Sequence, residues 1–246
     1  MNVALVFFAY SGDEALLNMA VQAVPRLRAR GHAVDCYVLD DAASPLDMPP
    51  EGCRYWRTEW PRMGNLNGVE CIVGMVKEYA AIFAMGGYDW VVKADCDTFV
   101  NSFDWLEALD AREVAFAGTV HVSNYCSGAC YAVSRGAVEW LRERLQDRMW
   151  RGKAERGHCE DKVLCNMCRV APGMRVHALD GRVGGVAGKL CHAWQGEPLP
   201  FEELREAYAV DFKACRWNSP PDRWEDDAVQ AVEKMSNYVK ELVKNG

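Results

Sequence analysis

The stretch Trp90-Val91-Val92-Lys93-Ala94-Asp95-Cys96-Asp97-Thr98-Phe99-Val100 decides how this chain is read. An apolar, β-branched run delivers two carboxylates at i and i+2. A strand sends alternate side chains to opposite faces, so Asp95 and Asp97 are expected on one side of a strand end. Like charges so placed repel, and each raises the other's proton affinity unless a cation stands between them. A hard divalent ion, Mn2+ or Mg2+, takes oxygen ligands from such a pair and from phosphate as well. The ordinary alternative is that acids closing a strand simply face water, and Asp-x-Asp by itself matches many proteins by chance. The hydrophobic strand before the pair and Thr98-Phe99-Val100 after it favour the metal.

Outward from this segment the chain alternates strands and helices. Residues 2–9 form a continuous apolar run, the pattern of a buried strand. Ser11-Gly12-Asp13 makes a turn and a helix start. Leu16, Leu17, Ala20, Val21, Val24 and Leu27 keep helical period, Pro25 is expected to kink that helix, and Gly31 suits its stop. Ala33 to Leu39 reads as the next strand, so strand, helix, strand opens a parallel α/β sheet. Asp40 to Gly68 reads as loop, rich in proline and turn dipeptides. Val69 to Met85 reads as a helix stopped by Gly86-Gly87, just before the key strand. Val114 to Gly118 and Cys130 to Ser134 read as strands, and 136–147 as a helix. Residues 151–157 look like a polar break, a helix starts near Glu160, and 180–200 reads as a glycine-rich loop. Residues 224–244 form an amphipathic C-terminal helix with Ala228, Val232, Met235, Val239 and Leu242 on one face. No repeat or interdomain linker is evident, so 1–246 is expected to be one domain.

Composition narrows the function. Half of the 246 residues are apolar, enough for one sizeable core. A net charge of −7 argues against a sequence-independent grip on nucleic acid, which needs a basic face. The apolar run at 3–9 is too short to span a membrane, no basic leader precedes it, and no other stretch qualifies. Eleven cysteines, an odd number without a repeating framework, suggest buried free thiols in a reducing, cytoplasmic setting, although a chain relieved of an upstream anchor would read the same. Cys165-x-x-Cys168 falls at i and i+3 of a predicted helix, with no second pair at zinc spacing, and reads as buried thiols.

The run from Tyr88 to Val100 resembles the Asp-x-Asp segment of nucleotide-sugar glycosyltransferases with the GT-A fold. It is most similar to the Fringe and core β-1,3-galactosyltransferase group, in which an aromatic and a lysine precede the acids and a threonine follows. Tyr125-Cys126-Ser127-Gly128-Ala129-Cys130-Tyr131-Ala132-Val133-Ser134 resembles that group's Tyr-x-Ser-Gly-x-x-Tyr-x-x-Ser block. Glu160-Asp161-Lys162-Val163 resembles its Glu-Asp-Val block. The likeness covers about residues 65–170, with Cys96 where the group's common acidic triplet has its middle member.

The resemblance implies an α/β fold of GT-A type, with a mixed central β-sheet flanked by helices and a Rossmann-like N-terminal half. It implies a metal-dependent glycosyltransferase that moves a sugar from a nucleoside-diphosphate donor, a UDP-sugar, to a glycan or other hydroxyl acceptor with inversion. Asp97 would be the direct Mn2+ or Mg2+ ligand, Asp95 would meet the metal through water or touch the ribose, and His192 would be a late metal ligand. Asp161, with Glu160 as runner-up, would be the general base, since an inverting transfer needs a carboxylate to take the acceptor's proton. Acids in a first helical turn also simply complement the macrodipole. Gly128 and Ala129 would let backbone approach the donor, or form a tight turn. Ala9, Tyr10 and Ser11 end the first strand at the edge that holds ligands in open α/β sheets, where Tyr10 would stack on uracil or stand as a surface tyrosine. Lys77 lies where the group has a basic residue facing the diphosphate, or is an ordinary solvated helix lysine. Trp194 and Trp217 would line a sugar site or pack in the core.

Two other functions share these features. A non-catalytic nucleotide-sugar or glycan-binding module would keep Asp95 and Asp97 without needing Asp161. A phosphotransferase or nucleotidyltransferase also wants paired acids, but the chain holds no Walker-type Gly-Lys-Ser/Thr loop.

Overall fold

The computed structural model describes residues 1–9, 11–42, 44–60, 69–120, 126–155, 160–179, 182–183, 186–187, 190–192, 200–212 and 224–245, with backbone alone for 120, 153–155, 182–183, 186–187, 191–192, 224–228 and 245. The chain opens with β1 (Asn2–Ala9), α1 (Glu14–Ala20), α2 (Ala23–Ala29), β2 (Ala33–Asp41), β3 (Arg54–Thr58) and α3 (Val69–Met85). It continues through β4 (Trp90–Ala94), β5 (Thr98–Val100), α4 (Asp104–Glu107), β6 (Val114–Val120), β7 (Cys126–Ser134), α5 (Arg135–Arg144), α6 (Arg148–Glu155), α7 (Glu160–Cys168) and β8 (Arg175–Ala178). The last part holds β9 (Arg182–Val183), β10 (Val186–Ala187), β11 (Leu190–His192), α8 (Phe201–Glu206), β12 (Ala209–Asp211) and α9 (Trp224–Asn245).

The central sheet has seven strands in the order β3-β2-β1-β4-β7-β6-β8. The β3-β2-β1-β4 half is parallel, as the opening strand-helix-strand pattern requires. β7 turns the sheet antiparallel against both β4 and β6, and β8 returns to parallel beside β6. The expected mixed α/β sheet flanked by helices is therefore what forms.

Burial along β1 follows the pleat. Val3, Leu5, Phe7 and Ala9 join one apolar cluster with α1, α2 and α9. Ala4, Val6 and Phe8 join the other, under α3, α5 and α7. Each buried large side chain contributes about 1.5–3 kcal/mol of transfer free energy, so a strand buried on both faces anchors the sheet. β4 repeats the alternation, with Trp90, Val92 and Ala94 in the first cluster and Val91 in the second. By the same parity Lys93 points to the second face, among apolar neighbours.

A smaller sheet braces the end of β4. β5 pairs antiparallel with β12, and β12 runs parallel with β11. α9 closes over it: Tyr238 packs against Phe99, Phe201 and Phe212, and its hydroxyl donates to Asn101 Oδ1 at 2.8 Å. Met235, Val239 and Leu242 are buried there, so the predicted apolar face of this helix packs within the chain.

Several expectations change. The first helix is not one kinked rod: α1 and α2 are separated at Val21-Gln22, upstream of Pro25, whose missing N–H cannot bond to the Val21 carbonyl. The proline-rich stretch holds edge strand β3, and the polar break at 151–157 is largely α6. The glycine-rich 180–200 stretch contributes β9, β10 and β11. Gly31 does end α2, with φ at +93°.

Candidate active site

The two acids do not project from one continuous strand. β4 ends at Ala94, residues 95–97 form a turn, and the amide of Thr98 donates to the Asp95 carbonyl at 3.0 Å. β5 then leaves into the other sheet. The alternation survives in the turn: Asp95 and Asp97 are half-buried while Cys96 is buried and bonds the Phe8 carbonyl through its thiol at 3.3 Å. Two backbone bonds fix the turn from opposite sides. The Asp95 amide donates to the Ala129 carbonyl at 3.0 Å, and the Phe212 amide donates to the Asp97 carbonyl at 2.9 Å.

Lys93 gathers side chains from three segments beside this turn. Lys93, only 2% exposed, sets its Nζ 2.5 Å from Asp95 Oδ1 and 3.3 Å from Glu160 Oε1. It also donates to the Gly128 carbonyl at 2.5 Å and lies 5.7 Å from the Tyr131 ring centroid. Gly128 is packed against Asp161 so closely that a Cβ there would lie 2.9 Å from Asp161 Oδ2. A glycine is therefore required for that approach.

Glu160 and Asp161 open α7, and both are buried. The helix dipole favours the ionised carboxylate, but burial acts in the opposite sense and wins. Burial first, then the Glu160 charge, push the Asp161 carboxyl from 3.8 up to about 7, against the lowering pull of the Lys162 amide and Lys93. Glu160 is engaged by Lys93, whereas Asp161 faces Gly128 and accepts the Lys162 amide at 2.6 Å. A carboxyl with its midpoint near neutrality is matched to proton transfer at neutral pH.

The other predicted residues divide. Ala129 is buried and binds the acidic turn through its carbonyl. Ala9 is fully buried, paired with Asp40 of β2, so it offers no side chain to a ligand. Ser11 is exposed and bonds Ser44 through both hydroxyl and amide. Lys77 is exposed on α3, as a solvated helix lysine is; the lysine in the carboxylate cluster is Lys93. Tyr10, Tyr125, Trp194 and Trp217 lie outside the described residues, as does the His192 side chain. The His192 backbone sits in β11 opposite Asp211, and Asp211 pairs in turn with Thr98, so the register carries position 192 toward the acidic turn. Asp211, 1% exposed, is an acid the sequence did not single out. Cys165 and Cys168 are buried, as expected.

Among the described residues no three His, Cys, Asp or Glu side chains converge as a metal cage. Mg2+ and Mn2+ sites that act on phosphates need only one or two carboxylates, the rest of the shell being water and substrate oxygen. Two half-buried carboxylates in one tight turn fit that donor set. A cavity of about 550 Å3 opens elsewhere, lined by Asn2, Arg28, Asp35, Arg54, Gly87 and Tyr88. It lies at the starting ends of the parallel strands, whereas ligands of open α/β sheets gather at the carboxyl ends, where Asp95 sits.

The fold is that of known glycosyltransferases. One is a glycosyltransferase involved in the glycosylation of the major capsid of PBCV-1, which aligns over 96% of this chain and 99% of its own with a TM-score of 0.56 and 11% identity. Another is the glycosyltransferase GlyE of Streptococcus pneumoniae TIGR4, aligned over 100% of this chain and 64% of its own with a TM-score of 0.53 and 15% identity. At such identity the likeness is one of fold. No protein-family profile and no curated protein matches the sequence. No helix among the described residues is long and apolar enough to cross a membrane.

Proposed function

We propose that this protein is a glycosyltransferase that moves a sugar from a nucleoside-diphosphate donor, a UDP-sugar, to a hydroxyl acceptor with inversion at the anomeric carbon. The observation that carries the proposal is Asp161: a buried carboxyl raised to about 7, held against Gly128 and tied through Lys93 and Glu160 to the Asp95 turn. The glycosyltransferase fold and the three sequence blocks that resemble the Fringe and core β-1,3-galactosyltransferase group support the same reading.

Asp97, with Asp95 beside it, would hold Mn2+ or Mg2+, and His192 would complete the set. Held there, such an ion would supply Lewis-acid neutralisation of the charge on a diphosphate leaving group. Asp161 accepts the proton of the acceptor hydroxyl as that oxygen attacks, on the side opposite the leaving group. The backbone at Gly128 and Ala129 offers a surface with no bulky side chain to the donor sugar. The acceptor is a glycan or another hydroxyl compound.

The test is nucleotide release by the purified protein with Mn2+ across UDP-, GDP- and CMP-sugars, with and without candidate sugar acceptors. Metal-dependent UDP release, lost in Asp97→Ala and in Asp161→Asn, is the expected result. UDP-sugar binding that survives in Asp161→Asn, with no turnover by either form under any acceptor, would instead identify a nucleotide-sugar-binding module. Absence of binding to every donor would refute the assignment of Asp95 and Asp97.

A further inference from the structure

We propose that Lys93 is the positioning residue of this site: one buried ammonium clamps the acidic turn, the Gly128 strand and the start of α7 into a single unit. The inference rests on the transferase reading and adds to it the device that holds its parts in register.

The geometry matches the chemistry of the group. An ammonium has three N–H donors and no acceptor. Around Lys93 Nζ lie three acceptors from three separate segments: Asp95 Oδ1, the Gly128 carbonyl and Glu160 Oε1. Those segments are 35 and 67 residues away from Lys93 in sequence for Gly128 and Glu160, so no local structure holds them together. A lysine is among the residues least often fully buried, and burying its charge is tolerated only with partners of this kind. Strand parity places Lys93 on the face covered by α3, α5 and α7, where Tyr131 shields it; Tyr79 of α3 bonds the Tyr131 hydroxyl at 2.9 Å.

Two consequences for the site follow. Lys93 engages Glu160, which leaves its neighbour Asp161 to face Gly128 and selects between the two candidate bases. It also engages one oxygen of Asp95, which fixes the rotation of that carboxylate at the turn. The groups that act on the Asp161 carboxyl are Lys93 and Asp95 from β4 and its turn, Cys126 and Tyr131 from β7, and Glu160 with the Lys162 amide on α7 itself. Lys93 is the cation among these side chains, so its removal leaves the carboxylates to repel one another.

The experiment compares the full chain with K93M, a side chain of similar length without charge. The Asp161 carboxyl is followed by 13C NMR across pH, its signal assigned with D161N, and nucleotide release is measured on the same samples. K93M is expected to move the Asp161 midpoint upward by about one pH unit. It is expected to lower the release rate about 10²-fold, the loss that follows a displacement of about 1 Å at a reacting centre. The acid limb of the pH–rate profile moves with the NMR midpoint, a change that lost packing alone does not produce. If K93M does not fold, the same comparison is made between E160Q and K93M/E160Q, in which the carboxylate left without its cation is also neutralised. An Asp161 midpoint unmoved by removal of Lys93 overturns the proposal, whatever the rate does. A native chain that releases no nucleotide from any donor defeats the transferase reading instead, and the NMR arm still reports on Lys93.

Discussion

Asp161→Asn is expected to stabilise the protein at alkaline pH while it abolishes turnover. The folded carboxyl titrates at about 7 against 3.8 for the ordinary group. Between those values the folded state binds more protons than the unfolded state, so stability falls as pH rises through the window. At 1.36 kcal/mol per pH unit, the full cost of an ionised Asp161 above pH 7 is about 4 kcal/mol. Asparagine does not titrate and keeps an oxygen for the Lys162 amide. Its buried NH2 group adds an offset of about 1–3 kcal/mol if it finds no acceptor, but that offset does not depend on pH. The pH dependence is therefore the readout. Urea unfolding of both proteins at pH 5 and pH 8 should show the stability difference shifting toward the variant by about 2–3 kcal/mol between the two. A difference that stays flat across this range would refute the argument that burial dominates this carboxyl.

Four further outcomes are expected. Nucleotide release by the native protein should rise with pH to a plateau with its midpoint near 7, where Asp161 loses its proton; a profile flat from pH 5 to 9 contradicts its role as base. Gly128→Ala places a Cβ 2.9 Å from Asp161 Oδ2 and should cost about 10²-fold in release rate, with a melting temperature close to that of the native protein. Gly74→Ala sets a Cβ 2.5 Å from the Trp60 ring and should lower stability by about 1–3 kcal/mol in chemical denaturation, through overpacking. Cys36 on β2 and Cys53 just before β3 set their sulfurs 3.0 Å apart, and an added oxidant of thiols such as a soluble disulfide should join them; peptide mapping that finds both thiols unpaired contradicts this.

How much of this was legible in the sequence depends on the range of the contacts involved. β1 and α3 were readable because a continuous apolar run and a period of 3.6 are local patterns, and glycine pairs mark the end of α3. β3 was not: Arg54-Tyr55-Trp56-Arg57-Thr58 is a polar edge strand, half-exposed between proline-rich turns, and among the described residues it pairs with β2 alone. The Asp-x-Asp pair was visible, but its setting was not, because β5 leaves for a sheet whose partner strand comes more than a hundred residues later. Lys93 stood in the quoted segment and passed as a family feature, since a lysine in a strand gives no local sign that it will be buried. Lys77, the lysine that was singled out, is on the solvent side of its helix. Asp211 offered no motif at all; only its register with Thr98 brings it near the turn.

The strap formed by β12 has a consequence for the order in which this protein matures. The acidic turn is synthesised early, yet the Asp97 carbonyl is bonded by the Phe212 amide and, among the described residues, β5 pairs with β12 alone. A chain emerging at about 5–20 residues per second carries its acids for several seconds before that partner exists. The strands of the parallel half can pair meanwhile, since the ladders that join β1 to β4 use no residue of the C-terminal third, although α9 later covers one face of them. The acidic turn is thus braced late in folding, and a nascent chain that stalls before residue 209 holds every strand of the seven-stranded sheet with that turn still unbraced.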